Sequence, residues 1–309
     1  MFELRTLGSR LAGAAAVALG VSFMVFLLLH CVPGDPVDVM LGEYAAAADR
    51  LALRARLGLD LPLAEQWWHF LRGVLHGDLG VSLVSSTPVA QLLLEHFRYT
   101  ALLAGAALLL AVLAGLPLGA LAALHSGRAW DAAASVVAVL GMSMPSFVLG
   151  PLLIIIFAVQ LRWLPVGGAE HAAGLVLPAV TLASGLAAVL ARMTRAAMLE
   201  ALALPHVQAA RARGLAEWQV VVGHVCRNAA LPVVTVLALQ LGALLGGAVV
   251  TETVFNWPGL GQLLVESIAR RDYPVVQGAV LLIALTYIAL NTVVDFLYPR
   301  LDPRIALSA

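Results

Sequence analysis

Hydrophobic and polar positions fall in long blocks along this chain rather than at the period of a strand. Uncharged, largely apolar runs cover residues 11–29, 100–124, 132–161, 172–191, 229–251 and 275–294. The first has 19 residues and each of the others has 20 or more, which as helix is enough to cross a bilayer core of about 30 Å. The pattern predicts an all-α membrane protein with six transmembrane helices. Arg5 and Arg10 precede the first run. It exceeds the apolar core of a cleavable signal, and no small-residue cleavage site follows it, so it reads as a retained helix.

The polar blocks between the runs set the organisation. Residues 1–31 are expected to hold the first helix, 32–98 an extracytoplasmic cap, and 99–309 a five-helix core carrying a polar loop at 205–228. The cap holds PGDP at 33–36 and the charges Asp49, Arg50, Arg54 and Arg56. Helical spacing over 45–57 and 64–75, with Trp67 and Trp68 suited to headgroup depth, makes it a small extramembrane segment. A structural plug and a docking surface are both open readings for it.

The loop 205–228, PHVQAARARGLAEWQVVVGHVCRN, is the one long polar interruption of the C-terminal half. Pro205 suits the first turn of a helix, where its missing N–H costs nothing, and Gly214 suits the left-handed position just past a helix end. The spacing predicts a short helix over 206–213, a turn at Gly214 and a second helical run from Ala216.

Arginine placement orients these blocks. With the N-terminus inside, the pieces 1–10, 125–131, 192–228 and 295–309 carry ten arginines, against three in the short outer loops 162–171 and 252–274. Positive residues favour the cytoplasmic side, so both termini and the 205–228 loop are expected there.

Composition narrows the chemistry. The chain is 61% hydrophobic and 12% charged with a net charge of zero, where soluble domains carry roughly 25% charged residues; nothing points to nucleic acid. All 18 basic residues are arginine, which excludes a Schiff-base lysine and a Walker-type phosphate loop. The eight histidines are scattered, with no HExxH pair, Cys/His cluster or GxSxG elbow, so neither a metal site nor a catalytic residue is expected. Cys31 and Cys226 fall near opposite faces of the membrane and read as unpaired.

Within the runs, Pro117, Pro145, Pro151 and Pro178 are expected to kink helices, and Gly242, Gly246 and Gly247 to allow close helix approach. Candidates for a translocation path are the polar groups at depth: Gln240 in mid-helix, Glu252 at the outer end of the fifth run and Asn291 toward the inner end of the sixth. A terminal charge such as Glu252 also has the option of reaching headgroups. A six-helix channel or secondary transporter competes at this point, although ionisable groups for ion coupling are few and no inverted repeat is evident.

Residues 208–214, QAARARG, resemble the EAAxxxG loop of ATP-binding-cassette importer permeases, with Gln208 where the motif has Glu. The variant, and RNAALPVVT at 227–235, are similar to the dipeptide/oligopeptide (peptide/nickel/glutathione) branch. LGLDLPL (57–63), HGDLG (76–80), SMPSF (143–147), RMTRAAMLE (192–200), TETVFNWPGLG (251–261), RRDYPVVQG (270–278) and DPRI (302–305) resemble that branch in the same order. The resemblance implies a type I importer permease in the inner membrane that moves di- or oligopeptides, with glutathione and nickel or metal-chelate cargo as alternatives. It implies a second homologous permease subunit, two ATPase subunits that hold ATP and Mg, an extracytoplasmic binding protein, and no cofactor on this chain. ATPase coupling would then fall to Gln208, Ala209, Ala210, Arg211, Arg213, Gly214 and Trp218. The arginines would meet acidic groups on the ATPase or serve as anchors on the inner side of the membrane, and Trp218 would pack in its groove or, preferably, on the chain's own helices.

Overall fold

The computed structural model describes residues 15–27, 46–56 and 58–301, with Gly13, Val37 and Leu41. The expectations on PGDP, Cys31 and DPRI fall outside these residues.

The described chain is helical, with a single isolated bridge between Val81 and Pro88. In order it forms α1 (Ala15–Leu27), α2 (Ala47–Arg56), α3 (Leu63–Leu75), α4 (Val89–Leu124), α5 (Ala129–Ser143) and α6 (Ser146–Leu153), the last running into a π-turn over Ile154–Gln160. There follow a 3-10 turn (Ala172–Leu175), α7 (Val176–Leu202), α8 (Pro205–Ala212), α9 (Glu217–Val220) with a π-turn over Val221–Val225, α10 (Cys226–Val254), α11 (Leu260–Ala269) and α12 (Tyr273–Leu301). Four helical stretches, Val89–Leu124, Ala172–Leu202, Glu217–Gly242 and Tyr273–Val294, have the length and apolarity to cross a membrane, and the pair α5–α6 makes a fifth if counted as one span. Of the first apolar run, the described part is α1.

Several boundaries differ from the apolar runs. The helix of the second run begins at Val89, not near residue 100, because Val89, Leu93 and Phe97 line one inward face while Glu95 and Arg98 point outward. Charge there marks a wet face, not a helix end. The run 132–161 is not a single kinked helix: α5 and α6 meet at 104°. Met144 is extended (φ −90°, ψ 113°) and Pro145 caps α6, since proline lacks the N–H that would continue the ladder and pushes its predecessor out of helical geometry. Pro117 and Pro232 remain inside continuous helices. The stretch 252–274, expected as a loop, contains α11.

The described chain divides into two compact units. The first comprises residues 1–99 and 258–289, so it draws in a stretch that the linear reading put with the core. Its apolar centre is Val89, Leu93, Leu260, Val275 and Ala279. Asp272, 3% exposed, anchors its loop: it accepts from Ser82 Oγ (2.5 Å) and Leu83 N–H (3.0 Å), while Ser82 Oγ accepts from the Val84 and Ser85 amides. Phe23 meets Trp67 edge-on at 5.3 Å.

The second unit comprises residues 100–257 and 290–309. It is built on α7, against which α5, α6 and α10 pack. Small residues bring the backbones together, as membrane helices require in the absence of a hydrophobic drive between them. A Cβ on Gly115 would lie 2.7 Å from the Ala187 carbonyl, and one on Gly119 would run into the carbonyl of Ala191. Ala138, Ala188 and Ala191 form the adjacent buried contact, with Leu118 over them. The expected glycine contact on α10 is not made by Gly246, whose Cβ direction is open.

Candidate functional site

The loop between α7 and α10 takes its shape from two residues. Pro205 is the first residue of α8, and the Leu204 carbonyl behind it accepts from the Val207 and Gln208 amides. At the other end Gly214 is left-handed at φ +80°. Its N–H donates to the Arg211 carbonyl (2.9 Å), and that of Leu215 donates to Ala210 (3.4 Å). This pair of bonds is the Schellman turn, which satisfies helix-end carbonyls. Gln219 Oε1 accepts from the Ala216 amide (3.2 Å), helping to start α9.

The loop helix has two faces. Val207 and Ala210 are fully enclosed against the chain itself, so Ala210 offers no surface to a partner. Gln208, Ala209, Arg211, Arg213 and Gly214 are exposed. Trp218 is 68% exposed; the expectation that it packs on the chain's own helices is corrected, because α9 turns Val220 inward instead.

Two opposite charges on this loop answer each other. Arg211 donates to Glu217 through Nη2 (2.5 Å) and Nε (3.2 Å). These hydrogen bonds, helped by the attraction of opposite charges, raise the Arg211 guanidinium above its ordinary value. Arg211 precedes the stretch Glu217–Gly242 that is long and apolar enough to cross a membrane. Arg213 folds back, its Nε donating to the Ala209 carbonyl (3.3 Å).

The path candidates are not brought together. Gln240 and Asn291 are half-buried on α10 and α12. Glu252 is fully enclosed and accepts from Thr100 Oγ1 at 2.7 Å, so in this state it neither reaches headgroups nor opens to a path. Its backbone carbonyl accepts from Trp257 N–H (2.8 Å).

One pair was not apparent in the sequence. Arg195 on α7 grips Asp131 in the first turn of α5 with two parallel bonds, Nε to Oδ1 at 2.6 Å and Nη2 to Oδ2 at 2.8 Å. The Gly127 amide also donates to that carboxylate (3.0 Å). The fork geometry fixes the turn before α5 against α7. In sequence Arg195 reads only as one more inside arginine, and nothing in the spacing of residues 131 and 195 signals the pair.

Comparison with known proteins gives three findings. The chain matches the family described as binding-protein-dependent transport system inner membrane component over residues 115–307, and its N-terminal membrane component over residues 3–104. It is 45% identical over 296 residues to the glutathione transport system permease protein GsiC of Escherichia coli (strain K12), covering 96% of this chain and 97% of that protein. The GsiC proteins of Salmonella choleraesuis (45%) and Shigella flexneri serotype 5b (44%) match over the same extent. Among solved structures, an inward-facing form of the MetNI methionine ABC transporter aligns with TM-score 0.59 at 21% identity, over 69% of this chain and 97% of its own. An amino acid ABC transporter aligns at 0.55 and 17%, over 68% and 94%. These structural likenesses carry the fold alone.

Proposed function

The chain belongs to the family of inner-membrane components of binding-protein-dependent transport systems, on the peptide/nickel/glutathione branch of ATP-binding-cassette importer permeases, and from that premise we propose that it forms one side of an import path for glutathione or a similarly short peptide. The 45% identity to glutathione permeases over nearly the whole chain supports that cargo, as does the short outer loop at 162–171.

In this reading α8 is the coupling helix. The observation that carries it is an eight-residue helix between two apolar spans, closed by a left-handed glycine, with Gln208 and Ala209 exposed on it and Arg213 and Trp218 exposed just beyond it. The arginine asymmetry favours the cytoplasm for it and for both termini. Two ATPase subunits, holding ATP and Mg, would grip it, and a second permease subunit would complete the path. A binding protein would deliver cargo to the cap at 32–98. ATP-driven closure of the ATPases does work on the permease only through contacts that differ between the two states, and the outward face of α8–α9 supplies them. Gln240 and Asn291 are kept as path candidates; Glu252 serves as an internal tie to Thr100 in the state described. The chain itself has no catalytic role, hydrolysis falling to its partners.

The test is uptake of labelled glutathione into proteoliposomes carrying this chain, its permease partner, the ATPases and the binding protein. Uptake that requires ATP and every component is expected. Flux through the lone chain, insensitive to ATP, would instead support a channel or carrier.

A further inference from the structure

At the root of the loop, between the end of α7 and the start of α10, lies a cavity of about 660 Å³, within the range of small-molecule sites. Glu200 stands on its α7 wall, and His224, Arg227 and Asn228 stand on the other. Leu231 and Pro232 supply an apolar part of the lining. Among the described residues neither Glu200 nor Arg227 forms an ion pair, although opposite charges line one cavity. Asn228 is already engaged: its amide bonds the His224 carbonyl at 2.7 Å and lies 3.2 Å from His206 Nε2 on α8. The wall that carries Arg227 is thereby tied to the loop helix.

We propose that this cavity is a binding site for a short zwitterionic peptide, its carboxylate held by Arg227 with His224 beside it and its ammonium by Glu200. An acid and a base, both exposed to solvent, line one open cavity and offer a partner to each end of such a ligand, where a singly charged ion would engage only one of them. Arg suits a carboxylate because its fork donates two parallel bonds. Occupation would brace α7 against α10 across the base of α8, so a peptide accumulating on this side would oppose the movement of the loop and slow further uptake. The inference rests on the importer reading only for the side on which peptide accumulates; the binding itself does not depend on it.

The experiment is equilibrium dialysis of radiolabelled triglycine against the full chain in lipid nanodiscs, without ATPase. Saturable binding is expected, weakened about tenfold or more by Arg227→Gln or by Glu200→Gln, and to a similar degree by N-acetylation or C-amidation of the peptide, as loss of a charge-assisted contact requires. The double reversal Glu200→Arg with Arg227→Glu should recover binding in the opposite orientation, which separates charge recognition from misfolding. Equal binding of free and blocked peptides, or no saturable binding by the folded native chain, would overturn the proposal. So would loss of the site in the fully assembled importer, which would make the cavity a subunit contact. A chain that binds triglycine yet recruits no ATPase would keep the site and refute the importer reading.

Discussion

Replacing Gly214 isolates the contribution of the loop turn, because the site is strained in one way only. Its φ is +80°, while a Cβ built there meets nothing within 4 Å. Steric clash is therefore absent and the cost is the backbone's own, about 1–2 kcal/mol for an L-residue held in the left-handed region. Asparagine tolerates that region best after glycine, and a β-branched residue tolerates it least. A cost of about 1.4 kcal/mol is a tenfold change in an equilibrium. If the ATPase binds only the closed turn, Gly214→Ala should weaken its apparent affinity by up to about tenfold, because only the competent fraction binds. Gly214→Asn should weaken it less and Gly214→Val more. The assay is titration of labelled ATPase onto the chain in nanodiscs, with the unfolding midpoint of the chain followed alongside. A graded loss in the order Asn, Ala, Val with an unchanged midpoint fits the account. Equal affinity for all four chains would refute the reasoning that the left-handed turn shapes the docking surface.

Three further outcomes are expected. Gly119→Val places carbon against the Ala191 carbonyl, its Cβ 2.6 Å from that of Thr194, and should destabilise the chain by about 1–3 kcal/mol as overpacking does; Gly246→Val, facing open space, should not, and equal unfolding midpoints would refute the close α4–α7 packing. Trp218→Ala should leave the midpoint unchanged but weaken ATPase retention by about 2 kcal/mol or more if the ring is an interface anchor; a lowered midpoint with intact retention would argue the reverse. Arg211→Gln removes both bonds to Glu217 and, the pair being solvent-exposed, should lower the unfolding midpoint only slightly at low salt and not at high salt; a large fall that persists at high salt would refute the reading of an exposed pair.

What the sequence made legible was what local stereochemistry decides. Pro205 and Gly214 bracket α8 because one lacks an N–H and the other lacks a Cβ, and both facts act within a turn. The apolar runs mark where spanning helices lie for the same reason, since length and charge are local quantities. What stayed hidden depends on residues far apart in the chain. Glu252 looks like a terminal charge until Thr100, 152 positions away, is seen to donate to it in a fully buried site. Asp131 and Arg195 meet across 64 positions, which no periodicity encodes. Pro145 shows a subtler limit: proline signals a disturbance, but whether the helix kinks, as an embedded proline usually does, or breaks to 104° is settled by the packing on either side. Trp218 was misjudged for the same reason, because the facing of α9 is set by the burial of Val220 and Val225.

The most direct test of the coupling role is co-purification of an ATPase through this chain from mild detergent, with the native sequence and with residues 206–218 replaced by a Gly/Ser linker. The account predicts recovery of the ATPase with the native loop and its loss with the linker, while both chains stay folded. An ATPase retained equally by the two chains would contradict the assignment of α8 and Trp218 as the coupling surface, and its absence from both would contradict the importer reading itself.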